Sequence, residues 1–253
     1  MEQISSGVVV IDLRVKKKTR YCQSALFMSE SKKLQNPIFV FPLPSTVFYP
    51  DTLLPLHIFE SRYREMLKDA LAEDRLIGMV LFKPGWESDY FGGPGVVSIG
   101  CAGKIDKSQL LEDGKYNIVL KGMSRFRIRE EIPGKPYRIA AVEFLDELDD
   151  EPVDFTQNGL DEKLVSRFEN YLKLLPEDAK KHLPELNDCK TLSSLVDRIA
   201  YRFDFKTAQK QSFLEELNVR KRVDTILSVL DLKTQIVKIA KDNKEKEIDV
   251  GLN

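Results

Sequence analysis

The pattern of apolar and polar residues predicts a β-rich half followed by a helix-rich half, and the first helix is its clearest element. Apolar residues from position 63 recur at i, i+3, i+4, i+7 and i+8, which aligns them in one stripe of a helix. They are Tyr63, Met66, Leu67, Ala70 and Leu71. Glu60 or Ser61 is expected to cap its start. Prolines at 42, 44, 50 and 55 exclude a helix over residues 40–56, so a strand over 38–41, a turn and a second extended piece are expected there.

Five further segments predict strands. Residues 76–82 form a short apolar run, and Gly78 within it indicates a bulge or a close backbone approach. Alternating apolar residues then mark four extended segments, at 96–105, 115–121, 125–132 and 137–145. Turns are expected at 114–115, 122–123 and 133–134. Short strands around one early helix favour a small mixed β-barrel, with residues 83–95 as a long loop.

The second half changes to helical periodicity after the acidic run at 147–154. Three apolar stripes predict helices that pack as a bundle. Their residues are Leu164, Phe168, Tyr171, Leu172 and Leu175; Leu192, Leu195, Val196, Ile199 and Phe203; and Val219, Val223, Ile226, Leu227 and Leu230. A further short helix is expected over 206–217, and the last helix is expected to fade into a polar tail. The predicted organisation is an extension at 1–36, a barrel at 37–148, a helical subdomain at 149–241 and a tail at 242–253.

The N-terminal extension has an apolar run, GVVVIDL at 7–13, before the basic KKKTR at 16–20. This order is the reverse of a secretory signal, so we expect a cytoplasmic protein. Met28 opens a polar segment that precedes the first predicted barrel strand. We therefore hypothesise that residues 1–27 are either a poorly ordered extension or the product of an upstream start codon.

Composition and charge exclude several classes of function. The 39 Lys and Arg balance 40 Asp and Glu, which gives no bulk reason to bind nucleic acid or an acidic membrane. No apolar run approaches the roughly 18 residues of a membrane span. Three widely spaced cysteines (Cys22, Cys101 and Cys189) argue for a reducing compartment, and the two histidines (His57 and His182) lack a second ligand at metal-site spacing.

Catalytic motifs are missing from the sequence. The three Gly-Lys pairs lack the glycine and the Ser or Thr that a Walker loop requires, and no GxGxxG, HExxH or GxSxG occurs. We therefore expect no catalytic, cofactor-binding or metal-binding residues. A hidden Ser/Lys hydrolase is a minor alternative, with Ser124 and Lys121 as its example pair.

Several motifs resemble the N-terminal substrate-binding domain of Lon proteases, in the version found as a free-standing protein. FPL at 41–43, LLPLHIFESRYREM at 53–66, IGMV at 77–80, IGCAGKI at 99–105 and GMSRFRI at 122–128 follow the order and spacing of that family. The helical segments at 195–203 and 209–230 also match, so the resemblance covers about residues 37–240. Two departures are Ser61, where many relatives carry proline, and Cys101, where many carry threonine.

The resemblance implies an α+β fold, in which a PUA-like (pseudouridine-synthase-and-archaeosine-transglycosylase-like) mixed barrel with one early helix precedes a C-terminal helical bundle. It implies a non-catalytic module that binds unfolded or degron-bearing polypeptides, with a protease or chaperone as a further partner and a homo-oligomer as one expected state. The family's ATPase and peptidase segments have no counterpart in the chain, so a peptidase label would be wrong about activity. The signature residues are expected to hold the fold together rather than contact a client. They are Pro42, Leu43, Pro50, Pro55, Leu56, Phe59, Glu60, Arg62, Tyr63, Gly78, Gly100, Gly122 and Arg125.

Client contacts are expected on the loop at 83–95, through Trp86, Tyr90 and Phe91. The alternative for Trp86 is that it covers the core of its own domain. The main alternative is RNA binding, because PUA-like barrels also occur in RNA-modifying proteins. Arg125, Arg127 and Arg129 would then line one wet strand face near Lys121. The balanced net charge argues against this alternative.

Overall fold

The structure, a computed structural model, describes residues 8–9, 35–90, 92–154, 159–176, 186, 188–203 and 205–250. The chain divides into two compact units, Met1–Asp146 and Glu147–Asn253. Each unit has its own elements and its own core, and each is described separately below.

The described residues of the first unit form one sheet and one α-helix, α1, which spans Ser61–Ala72. Seven strands of this unit are described. They are β1 (Val8–Val9), β2 (Gln35–Leu43), β3 (Leu53–Ile58), β4 (Leu76–Leu81), β5 (Ile99–Leu110), β6 (Tyr116–Ile132) and β7 (Arg138–Leu145). Most of the predicted extension at 1–36 lies outside the described residues, so its order and its origin remain predictions.

Five of these strands close into a ring. β2 runs parallel to β4, while β4–β5, β5–β6, β6–β7 and β7–β2 are antiparallel pairs. The ring confirms the predicted mixed barrel. β3 pairs with the first part of β6, and β1 pairs with the other side of β3. The same edge of β6 therefore pairs with β3 over the first part of the strand and with β7 over the second part.

The predicted stripe of α1 is confirmed, because Tyr63, Met66, Leu67 and Ala70 are all buried. A barrel core cluster contains Ile38, Val40, Val80, Phe82, Val96, Ala102, Phe126, Ala140 and Val142. Gly78 lies against this core, and an added Cβ would come within 2.7 Å of Phe126 and 2.8 Å of Ile38. This close approach is one of the two explanations that the sequence offered for Gly78.

The turn predicted at Gly122 and Met123 is wrong, because β6 continues through both residues. The β5 register changes from Ala102↔Ser124 to Gly103↔Gly122, which leaves Met123 as a bulged residue. A Cβ on Gly122 would lie 2.0 Å from the Tyr49 carbonyl oxygen. A glycine here therefore allows the chain before β3 to approach β6 rather than allowing the strand to turn.

The second unit is helical, as predicted. Its described helices are α2 (Leu160–Leu174), α3 (Leu192–Arg202), α4 (Thr207–Glu215) and α5 (Val219–Val250). α5 packs against α2 and α3, and the predicted stripes supply its buried contacts. The last helix does not fade where the polar sequence begins, since α5 continues to Val250. The Thr191 hydroxyl caps α3 by accepting a hydrogen bond from the Ser194 backbone N–H at 3.3 Å.

A buried arginine anchors the start of this unit. Arg222 has no exposed side-chain surface, and its Nη1 donates to Glu147 Oε2 at 2.7 Å and to the Glu216 carbonyl at 2.9 Å. Its Nε lies 3.5 Å from Oδ1 of Asp197, which is also fully buried. No pattern in the sequence distinguished this arginine from the charged residues around it.

Candidate functional site

The loop after β4 is closed at its base and lies on the barrel. Phe82 forms a bridge with Val96, the Lys83 N–H donates to the Gly95 carbonyl at 2.8 Å, and the Val97 N–H donates to the Leu81 carbonyl at 2.9 Å. Within the loop, a short 3-10 helix spans Trp86–Asp89. It follows Gly85, whose φ of +86° is a conformation that glycine adopts without strain.

Trp86 and Tyr90 pack on the barrel core and on each other. The Trp86 ring stacks on Phe82 with centroids 5.2 Å apart, and Tyr90 contacts Trp86 and Phe82 edge to face at 5.8 and 6.0 Å. Both residues are half-buried. They therefore cover the core of their own unit. Phe91, the third predicted contact residue, lies outside the described residues.

Tyr90 also joins the loop to the start of α1. Its hydroxyl donates to Glu60, and Glu60 accepts a second hydrogen bond from Arg62 Nε at 2.8 Å. The Arg62 guanidinium carbon lies 4.7 Å from the ring centroids of both Tyr63 and Tyr90. A cation over an aromatic face is attracted by the ring quadrupole, so Arg62 holds the two tyrosines together.

This cluster changes the interpretation of Glu60. Its backbone occupies the N-cap position of α1, but its side chain makes no capping hydrogen bond. The carboxylate is used for Arg62 and Tyr90 instead. Burial, followed by the hydrogen bond to Glu60, raises the pKa of Tyr90, and burial raises the pKa of Tyr63 to about 12. Both phenols are neutral at physiological pH, which allows Tyr90 to act as the donor to Glu60.

The structure therefore connects two groups of residues that the sequence separated. Glu60, Arg62 and Tyr63 were expected to be structural, and Trp86 and Tyr90 to contact a client. The remaining signature residues lie in the barrel: most are buried, while Pro55 and Phe59 are half-buried. The sequence carried a signal only within the second group, because Trp86 and Tyr90 are four residues apart and would share one face of a helical turn.

The outer part of the sheet carries exposed apolar side chains. Leu53 on β3 is 52% exposed, and the bulged Met123 on β6 is 56% exposed. Along β3, outward-facing positions such as Leu53 alternate with fully buried positions at Leu54, Leu56 and Ile58. Sequence analysis did not identify this surface as a candidate site, because Leu53 stands in an apolar run in which the buried and exposed leucines look alike.

The arginine face predicted for RNA binding is not formed. Arg125 is fully buried, so it does not share an exposed face with its neighbours. Arg127 Nη1 lies 3.7 Å from Glu143, and Arg129 forms an ion pair with the same carboxylate. β7 therefore brings an acid opposite β6, and this acid offsets the charge that a phosphate would need.

The other candidate chemistry groups are engaged in local structure. The Ser124 hydroxyl donates to the Arg125 carbonyl at 3.2 Å, and Lys121 is an exposed residue opposite Leu53. His57 Nδ1 lies 2.8 Å from Asn117 Oδ1 across the β3–β6 pair, whereas His182 lies outside the described residues. Within the described parts of the chain, no group of three or more His, Cys, Asp or Glu side chains could hold a metal ion.

Comparison with known proteins points to one family. Residues 37–231 match the family described as the ATP-dependent protease La (LON) substrate-binding domain. Lon protease 2 of Myxococcus xanthus is 28% identical over 204 residues, which cover 79% of this chain and 24% of that protein. Lon protease of Dictyoglomus thermophilum is 26% identical over 213 residues, 84% of this chain and 26% of its own length. The chain thus spans about a quarter of these relatives.

Two solved structures share the fold. The N-terminal domain of Lon protease from the Mycobacterium avium complex has a TM-score of 0.58 at 18% identity, and the match covers 78% of this chain and 98% of that one. A Lon N-terminal domain protein from Xanthomonas campestris has a TM-score of 0.52 at 18% identity, covering 77% and 98%. Among the helices that the structure describes, none is long and apolar enough to cross a membrane.

Proposed function

Because this chain belongs to the family of Lon substrate-binding domains, we propose that it is a non-catalytic module that binds unfolded or degron-bearing polypeptides. The observation that carries this proposal is the family match over residues 37–231, which includes both the barrel and the helices that follow it. The full-length relatives are proteases, but the matched segment is the part named for substrate binding. We therefore assign recognition to this segment and assign no hydrolysis to it.

The surface chemistry supports a polypeptide as the ligand. The barrel presents exposed apolar side chains at Leu53 and Met123 beside the main chain of an outer strand. An extended peptide can bind such a surface by adding to the strand and resting its apolar side chains nearby. A nucleic acid would instead need a surface with excess positive charge, and Glu143 offsets the nearest arginines.

Binding alone limits what the module does with a client. Binding can select or hold a polypeptide, but it does not by itself supply the energy to unfold one processively. A protease or chaperone that receives the client is therefore the partner that we propose for it. The described cysteines, Cys101 and Cys189, are buried thiols that form no disulfide, which suits a reducing compartment such as the cytoplasm.

The test is a binding measurement with a permanently unfolded protein. Reduced, carboxymethylated α-lactalbumin carrying a fluorescent label should bind the full chain, whereas native α-lactalbumin should not. Incubation of the complex with ATP should release neither phosphate nor peptide fragments. If the labelled unfolded protein shows the same anisotropy with and without the chain, the proposed function is wrong.

The fluorescence of the single tryptophan tests whether the loop contacts the client. Trp86 is the only tryptophan in the sequence, and it lies on the loop that was predicted to touch a client. α-Lactalbumin contains tryptophan of its own, so a tryptophan-free unfolded peptide is used for this measurement. A shift of the Trp86 emission on binding would support a contact by the loop, and an unchanged emission would place the client elsewhere.

A further inference from the structure

The two-residue strand β1 shows that the outer edge of β3 accepts an additional strand. Val8 pairs with Ile58 and Val9 pairs with His57, in antiparallel orientation. This contact is made by the main chain, so it does not require the particular side chains of β1. The edge can in principle accept any extended segment that reaches it.

The hydrogen-bonding direction along β3 follows from its first residues. The Gly122 N–H donates to the Thr52 carbonyl at 2.9 Å, so the main-chain carbonyl of Thr52 points toward β6. Because the direction of the main-chain hydrogen-bonding groups alternates along a strand, those of Leu54, Leu56 and Ile58 also point toward β6. The groups of Leu53, Pro55 and His57 therefore point to the side where β1 lies.

This alternation also determines how β1 is held. The main-chain N–H and C=O of His57 point toward β1. His57 and Val9 therefore form the hydrogen-bonded pair and exchange both main-chain hydrogen bonds. Val8 faces Ile58 as the non-hydrogen-bonded pair, and its N–H points away from β3. The two valines are thus inequivalent: the N–H of Val9 is needed for the pairing, and that of Val8 is not.

The sequence around β1 has the chemistry of an extended apolar ligand. Residues 7–13 read GVVVIDL, with four consecutive β-branched residues, which favour strands. A segment of this type would place apolar side chains beside the exposed Leu53. It resembles the apolar stretches that an unfolded protein exposes.

We propose that the outer edge of β3 is where this module docks extended polypeptides, and that β1 is an internal competitor for the same edge. This inference rests on the proposed function and specifies its site. The ligand class is an extended segment rich in β-branched apolar residues. Such a ligand replaces β1 in the antiparallel register that Val8 and Val9 now occupy.

Competition by an attached segment multiplies the affinity for an external peptide by the fraction of time for which the edge is free. If β1 is docked nine-tenths of the time, the apparent dissociation constant of an external peptide rises about tenfold. Displacing β1 should therefore strengthen peptide binding without changing any residue of the edge. An increase in affinity is diagnostic, because a substitution that merely damages a binding site lowers the affinity.

The experiment uses the full chain and two matched substitutions. Val9→Pro removes the N–H that pairs with His57, whereas Val8→Pro removes one that points away from β3. The probe is a fluorescein-labelled peptide with the sequence of residues 7–17, GVVVIDLRVKK, whose basic end keeps it soluble. Val9→Pro should bind this probe about tenfold more tightly than the unchanged chain, and Val8→Pro should bind it as the unchanged chain does.

Methylated peptides provide a second measurement that leaves the protein unaltered. N-methylation at Val9 of the probe should abolish its binding to the Val9→Pro chain, and N-methylation at Val8 should leave binding within about twofold. Equal affinity of all three chains for the probe would overturn the proposal. Equal loss of binding by both methylated peptides would overturn the register on which it rests.

The failure of this inference differs from the failure of the proposed function. If carboxymethylated α-lactalbumin binds the unchanged chain and the Val9→Pro chain equally, and the probe does not compete, polypeptide binding stands but its site is not the β3 edge. If neither chain binds the unfolded protein, the proposed function itself is wrong. Superimposable far-UV circular dichroism of the three chains confirms that each remains folded.

Discussion

Replacing Arg222 by methionine should destabilise the helical unit more than any other single change of comparable size there. Arg222 is fully buried on α5, and it contacts Glu147 at 2.7 Å and Asp197 at 3.5 Å. Methionine approximates the volume of the arginine stem, so the change removes a charge and its hydrogen bonds without leaving a large cavity. The remaining cost is that of two carboxylates deprived of their nearest guanidinium.

The magnitude depends on which carboxylate can reach water. Glu147 has 21% of its side chain exposed and can be rehydrated, whereas Asp197 has none exposed. Removing one member of a buried ion pair costs about 3–5 kcal/mol, because the other charge stays desolvated. We expect about 4 kcal/mol for Arg222→Met, and most of this arises at Asp197. The double change Arg222→Met with Asp197→Leu should recover all but about 1 kcal/mol.

Urea unfolding followed by circular dichroism at 222 nm measures this loss, because the second unit supplies most of the helix. With a slope of about 2 kcal/mol per molar, the midpoint should fall by about 2 M. Emission of Trp86, in the first unit, is recorded in the same samples and follows the barrel. A decrease below about 1 kcal/mol for Arg222→Met, or a double variant that is less stable than the single one, would refute the reasoning.

Three further predictions concern the barrel unit. Gly122→Ala should destabilise it by about 3 kcal/mol in urea unfolding followed by Trp86 emission, because the added Cβ meets a backbone oxygen. Tyr90→Phe should free the loop from Glu60, and amide hydrogen exchange across the loop should quicken about tenfold while the barrel strands stay protected. The Tyr137 hydroxyl, followed by Lys135, lowers the pKa of Asp69, so the stability from this contact is present above about pH 4 and is lost as the pH falls through the lowered value. Asp69→Asn should accordingly flatten the acid side of the stability–pH profile.

Each of these three changes has a control in the same region. Met123→Ala alters the neighbouring exposed bulge residue and should leave stability within about 0.5 kcal/mol of the unchanged chain. Tyr116→Phe changes a tyrosine outside the loop and should not alter exchange there. Asp74→Asn, at an exposed residue after α1, serves for the pH profile. A Gly122→Ala chain as stable as the Met123→Ala chain would show that the approach of the upstream turn is not fixed.

The barrel and the helices could be predicted because each depends on short-range periodicity. The stripe of α1 and the alternation in the strands lie within single segments, and burial follows them directly. The turn predicted at Gly122 and the exposed face predicted for Arg125 were wrong, because the environments of both residues are made by other segments. The turn before β3 determines what Gly122 must accommodate, and alternation alone did not indicate that Arg125 would be buried.

The candidate site was only partly accessible from the sequence for the same reason. Trp86 and Tyr90 were identified from their chemistry, but their support by Glu60 and Arg62 joins residues about 30 positions apart. Pairing of β1 with β3 joins still more distant segments through main-chain bonds, which carry no residue-specific signal. The prediction that residues 83–95 contact a client remains a prediction.

Pro55 gives the outer edge of β3 an uneven supply of hydrogen-bond donors. It faces the edge with a carbonyl but no N–H, so the edge lacks a donor midway between Leu53 and His57. A second copy of the sheet aligned along this edge would face the same gap in both strands. The proline therefore opposes edge-to-edge aggregation, as prolines on edge strands do in general. Under the proposed function, a client that pairs along this edge would form few main-chain bonds and would dissociate quickly.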